Sequence, residues 1–123
     1  MSFGVDPFLM TSPDEILEVM REMPKNVGLL IDVGHLKVSS KTLAFDLSVA
    51  MEKCSCYARG YHLSDNDGTS DSNDPIHPNS WFWRHLNSSI NYISIEVKGT
   101  TLLELWQQRE LANNMLGISD VQS

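Results

Sequence analysis

Residues 61–74 read Tyr-His-Leu-Ser-Asp-Asn-Asp-Gly-Thr-Ser-Asp-Ser-Asn-Asp, a histidine followed by four carboxylates and two carboxamides. Imidazole nitrogen combined with carboxylate oxygen suits Mn²⁺, Zn²⁺, Co²⁺ or Mg²⁺ better than a soft ion. Two other stretches deliver the same donor types straight after an apolar run: Leu29-Leu30-Ile31-Asp32-Val33-Gly34-His35 and Tyr92-Ile93-Ser94-Ile95-Glu96. Functional residues of α/β sheets gather beyond the carboxyl ends of the strands, so Asp32, His62 and Glu96 form the candidate metal-ligand set. Taken singly, an Asp after a strand is most often a helix cap and a lone His a satisfied core residue; only their joint placement points to a metal centre.

Other chemistries fit less well. Asp65, Asp67, Thr69 and Asp71 alternate as calcium-loop ligands do. With Asp65 as first ligand, however, the glycine belongs at position 70 rather than at Gly68, and Ile76 stands where a bidentate Glu is required. There is no phosphate-cradling glycine loop, Walker lysine or serine nucleophile elbow. Cys54 and Cys56 are too close for an unstrained disulfide and read as reduced structural thiols. The Asn87-Ser88-Ser89 triplet matches a glycosylation acceptor, and without a secretion signal it is read as chance.

The elements that must position these residues follow from capping and periodicity. Ser12-Pro13-Asp14-Glu15 spells a capping box with proline at the first helical position, and Ile16, Leu17, Met20 and Met23 supply one apolar face before Pro24. An unbroken apolar run at 27–31 is a strand covered on both faces. Ser39 or Ser40 is expected to cap a second helix carrying Leu43, Leu47, Ala50, Met51 and Cys54. Residues 57–63 and 92–97 are the next strands. Between them, Asn79 or Ser80 starts a short helix whose Trp81-Phe82-Trp83 aromatics cover a pocket edge or flank the core. Thr101 and Glu104 form a second capping box, with Leu102, Leu105 and Trp106 as the expected buried face of the closing helix. Residues 1–10 read as a lead-in segment or a short edge strand. Alternating helices and strands with crossovers of ten or more residues imply a parallel sheet.

The three motifs Leu30-Ile31-Asp32-Val33-Gly34-His35-Leu36-Lys37-Val38-Ser39, Tyr61-His62-Leu63-Ser64-Asp65-Asn66-Asp67-Gly68 and Ile93-Ser94-Ile95-Glu96-Val97 together resemble the carboxyl-terminal part of the xylose isomerase-like TIM-barrel superfamily. That superfamily holds sugar isomerases and epimerases alongside endonuclease IV-type enzymes, and the resemblance spans roughly residues 11–112. It implies an α/β fold, a partial (half) TIM barrel of three to four parallel strands with flanking helices, forming a single domain over 1–123. It also implies Asp32, His62 and Glu96 as ligands of a divalent metal. Glu96 would be one of two catalytic carboxylates that move a proton between adjacent sugar carbons, and His35, Asp65 and Asp71 would touch substrate. Complete barrels have eight strands. The resemblance places the partner Glu of Glu96 on an earlier strand, ahead of the first residue here. In the endonuclease branch an Asp-x-His pair supplies further ligands; here the triplet is Asp71-Ser72-Asn73, with His77 four residues on.

The formal net charge is −7 and the isoelectric point about 4.8. No basic stripe neutralises phosphates, so nucleic acid is not expected as a partner and an endonuclease-like repair fragment is the third reading. No apolar window is long enough for a membrane span, and the expected location is cytoplasmic. Three parallel strands leave open edges and an uncovered inner face, which predicts completion by homo-oligomerisation, most simply a two-fold dimer. The first functional reading is therefore a truncated sugar isomerase or epimerase-like protein acting on a small sugar or sugar phosphate. The alternative is a non-catalytic relic or interaction module that kept the motif residues without a full acid/base pair.

Overall fold

The computed structural model describes residues 12–87 and 92–117, so the expectation for residues 1–10 lies outside the described residues. Helix α1 (Pro13–Glu22) begins as its capping box requires: Ser12 Oγ accepts from the Glu15 N–H at 3.3 Å, and Glu15 Oε1 accepts from the Ser12 N–H at 3.1 Å. It ends before Pro24, which has no N–H to continue the ladder. Met20 is buried on its inward face, while Met23, expected there, is exposed at the helix end.

Strand β1 (Leu29–Asp32) runs directly into α2 (Val33–Thr42). The expected Ser39 or Ser40 cap is not used. Asp32 caps α2, its Oδ1 accepting from the His35 N–H at 2.9 Å, and Ser39 and Ser40 lie inside that helix, where Ser40 Oγ donates to the Lys37 carbonyl at 2.7 Å. The chain turns at Ala44, in the left-handed region (φ 57°), and a separate helix α3 (Leu47–Cys54) is capped by Asp46, whose Oδ1 accepts from Val49 N–H at 2.9 Å. Serine and aspartate cap about equally well; Asp32 and Asp46 define the starts because they hold the extended backbone that precedes each helix, whereas Ser39 and Ser40 are interior to α2.

Strand β2 (Ala58–Leu63) follows a 3₁₀ turn at Ser55–Tyr57, a second 3₁₀ turn occupies Trp83–His85, and β3 (Tyr92–Ile95) leads to α4 (Leu102–Leu116). The sheet has the order β1-β2-β3 and is parallel throughout. Ile31, Tyr61 and Ile93 share one register row and point towards the helices. Tyr61 and Leu63 are fully buried there among Leu36, Ala50, Met51 and Cys54. Phe82 belongs to this core, and Trp81 and Trp83 flank it.

Successive side chains alternate between faces, so the opposite face carries the rows Leu30-Gly60-Tyr92 and Asp32-His62-Ser94. This face is open: Leu30 is 49% and Tyr92 53% exposed. Gly60 is needed where it sits, because a Cβ there would lie 2.9 Å from the Tyr92 carbonyl oxygen and 3.0 Å from its ring.

Helix α4 is capped by Thr101 and Glu104 as the sequence predicts, but its expected buried face is not buried. Leu102 is 84%, Trp106 54% and Leu105 37% exposed. The helix docks instead through its second half, with Ala112 in the core, Leu111 against it, and Gln108 bonding both the N–H and the C=O of Ile76 at 2.7 and 3.2 Å. The sheet ends at β3 among the described residues, so the first half of α4 has no further strand to cover.

Burial therefore predicts opposite outcomes for two apolar truncations. Met51→Ala, at a fully buried site, is expected to cost about 2–5 kcal/mol in urea unfolding. Leu102→Ala should leave the urea midpoint unchanged apart from a few tenths of a kcal/mol of helix propensity; a loss comparable to that of Met51→Ala would show that this face is covered in solution.

Candidate functional site

Asp32 is the last residue of β1 and sits in register beside His62. Both are half-buried on the open face, with Asp32 Oδ2 3.9 Å from His62 Nδ1. The Tyr92 ring stands 6.2 Å from the His62 ring, centre to centre. One turn into α2, His35 Nδ1 lies 3.6 Å from Asp71 Oδ2. The first turn of α2 and the loop after β2 thus bring Asp32, His35, His62 and Asp71 to one end of the sheet.

The loop reaches this position because it is tied down along its length. The Asp65 carboxylate accepts from Lys37 Nζ at 3.1 Å, from the Asn66 N–H at 2.8 Å and from Ser80 Oγ at 2.8 Å, and the Asp65 and Asp74 backbones exchange two hydrogen bonds. Lys37 Nζ also donates to the Asn66 carbonyl. Asn66 Nδ2 donates to the Gly34 carbonyl at 3.0 Å and its Oδ1 accepts from the Gly68 N–H at 2.7 Å. Gly34 permits the close approach: a Cβ there would lie 2.6 Å from Ser64 Oγ and 3.0 Å from Asp71 Oδ1. Those two oxygens are buried and have no hydrogen-bond partner among the described residues.

Burial pushes the Asp32 carboxyl above the ordinary carboxylate range. The His35 N–H opposes this, the neighbouring Asp71 carboxylate adds to it, and the His62 and His35 rings pull it back down.

Glu96 lies two residues beyond Ser94, the register partner of His62, and so falls on the same face. Its carboxylate is exposed and accepts a hydrogen bond from Ser94 Oγ. Its backbone is stapled by Glu96 N–H to the Leu63 carbonyl at 2.9 Å and by Asn73 Nδ2 to the Glu96 carbonyl at 2.8 Å. Asn73, at the position where a histidine would ligate metal in the endonuclease branch, instead joins the loop to β3. His77 is exposed, its backbone N–H bonded to Ser80 Oγ. Among the described residues no three His, Cys, Asp or Glu side chains converge as they would around a metal ion.

The donor types fit a divalent cation, which Asp32 and His62 would hold from adjacent positions. The shell they begin is not closed by this chain's described residues. Gly34, Ser64, Asn66 and Lys37 were not singled out from sequence, although they hold the loop after β2 against the start of α2. A glycine in the first turn of a helix directly after a strand was the one available signal.

No family model and no curated protein matches the chain. Among solved structures, that of a D-tagatose 3-epimerase-like protein superposes with a TM-score of 0.63 at 23% identity, over 86% of this chain and 41% of that one. The fold is a partial TIM barrel. The chain spans about two fifths of the length of that structure, and its open face corresponds to the inside of a barrel.

Asp32 carries a burial cost at neutral pH that is relieved on protonation. Its raised pKa means the native state takes up this proton before the unfolded chain does, so this contribution to stability improves as pH falls through the raised value. Asp32→Asn keeps a good N-cap and is expected to unfold at an equal or higher temperature than wild type at pH 7, with the difference shrinking towards pH 4. A clear loss of stability at pH 7 would show that the carboxylate is compensated in the folded protein.

Proposed function

We propose that this chain is a partial barrel of the sugar isomerase and epimerase type that uses Asp32, His62 and Glu96 to hold a divalent cation, Mn²⁺, Zn²⁺, Co²⁺ or Mg²⁺, for a small sugar or sugar phosphate. The observation that carries the reading is the parallel sheet presenting Asp32 and His62 side by side at its carboxyl end, on the face that lines the interior in a complete barrel. When bound, the cation would supply Lewis-acid stabilisation of negative charge on substrate oxygens. Glu96, exposed on the same face, is assigned to proton transfer at a sugar carbon. His35 and Asp71 are assigned to substrate hydroxyls, with Asp65 holding their loop through its three hydrogen bonds and reaching substrate only at its edge.

Epimerisation removes a proton from one face of a carbon and returns one to the other, so a second carboxyl group opposite Glu96 is required. A second copy is the simplest source of it and of the missing ligands. The open face exposes Leu30 and Tyr92, and β1 and β3 are free edges of one parallel sheet among the described residues. A two-fold axis along the strands would set the β1 edge of one protomer beside the β3 edge of its partner, with both sets of Asp32 and His62 at the same end.

The expected outcome is micromolar binding of Mn²⁺ or Zn²⁺ by calorimetry, abolished by Asp32→Ala and weakened towards acid pH as protons compete for the imidazole. Light scattering on the same sample should give a dimer; a monodisperse monomer at micromolar concentration would contradict the shared barrel.

A non-catalytic module is favoured by one specific observation, the absence of three converging ligands among the described residues. Solvent-deuterium incorporation at C2 or C3 of a ketose, lost in His62→Ala, would decide against it.

A further inference from the structure

A cleft of about 440 Å³ opens at the amino ends of the strands, between the end of α1, the start of β1 and the 3₁₀ turn before β2. This is the end of the sheet away from Asp32 and His62. Three cations, Arg21, Lys25 and Arg59, line it, and no acidic side chain among the described residues does. That grouping is notable in a chain with sixteen acidic residues against nine basic ones. Lys37 pairs with Asp65 and Lys53 with Asp14, whereas the three cleft cations, like Arg84 and Lys98, have no carboxylate partner among the described residues.

Arg59 is held in position. Its aliphatic stem lies against Gly28, where a Cβ would come within 2.1 Å of Arg59 Cγ, and its Nη1 donates to the Ala58 carbonyl at 3.1 Å. One carbonyl occupies one of the five guanidinium N–H groups and leaves the fork free for a bidentate acceptor. Met20 and Tyr57 add apolar surface beside the cations. The volume is in the range of small-molecule clefts, roughly 300–1,000 Å³.

We propose that this cleft binds a small organic phosphate, its dianion held by Arg59, Arg21 and Lys25 and its carbon skeleton resting on Met20 and Tyr57. The site is separate from the one at the strand carboxyl ends and independent of the function proposed for it.

Cys56 lines the cleft and is exposed, whereas Cys54 is buried, so the intact protein carries its own reporter. Alkylation of Cys56 by neutral iodoacetamide, followed by mass spectrometry, is expected to slow about tenfold with phenyl phosphate present at about ten times its Kd. The protection should vanish in Arg59→Gln/Lys25→Gln and persist in Asp32→Ala. Calorimetry of phenyl phosphate on the same three proteins should agree, with circular dichroism establishing that the double variant is folded. Equal protection by phenol would overturn the proposal by showing apolar binding alone. Equal protection by benzoate would overturn the assignment to phosphate. Unchanged alkylation at millimolar phenyl phosphate, with no heat of binding, would remove the site altogether.

Discussion

The structure depends on the two-sided pairing of β2. It is the only strand with a neighbour on each edge among the described residues, and its outward side chains Tyr61 and Leu63 are the fully buried contact with the helices. Because side chains alternate, committing Tyr61 and Leu63 to the helix layer commits Gly60 and His62 to the other face. The same parallel register then sets Asp32 and Ser94 on either side of His62. A slip by one residue would turn every one of these side chains to the opposite face, exposing the core row and burying the polar one.

Asp32 serves two purposes at once. One carboxylate oxygen starts α2 by accepting the His35 N–H, and the other faces His62. The cap fixes where α2 begins and therefore where His35 projects, so the local signal for a helix and the geometry of the site are carried by one side chain. Asp65 is the counterpart in the loop after β2. Its three accepted bonds, together with the backbone pair to Asp74, turn a stretch rich in polar side chains into a defined wall that carries Asp71 back over Gly34. Asp65 is thus engaged by the protein's own donors, as is Asp67 by the Thr69 N–H and hydroxyl, which is a structural use of residues that resemble a ligand array.

Packing is uneven in a way that matches a partial barrel. The helix layer has a continuous core from Ile31 to Ala112, whereas the inner face exposes Leu30 and Tyr92, and the first half of α4 exposes Leu102, Leu103 and Trp106. In a closed barrel the corresponding positions are covered by the remaining strands and helices. Leu30, Tyr92 and the first half of α4 lie open at positions that the rest of a complete barrel would cover, while Val19 and Val49 are exposed on the helix layer.

Capping and strand identity were written locally. The Ser12/Glu15 and Thr101/Glu104 boxes, the three apolar strands and the parallel order all follow from short-range hydrogen bonding, periodicity and crossover length, which need no distant partner. The position of Asp32, His62 and Glu96 at strand carboxyl ends was legible as well, whereas the shared face of Asp32 and His62 depends on the parallel register between strands. The second helix was misplaced because serine and aspartate both cap, and only the folded chain shows that Asp32 and Asp46 take the N–H groups while Ser39 is buried. The buried face of α4 was misread because amphipathic spacing states which side is apolar, not whether anything lies against it; that depends on a sheet ending at β3. The tie of Asp65 to Lys37 and Ser80, the closure of Asp71 over Gly34, and the shared cleft of Arg21, Lys25 and Arg59 join residues distant in sequence. Contacts of that kind exist only after the strands have paired, and so tertiary structure alone decided them.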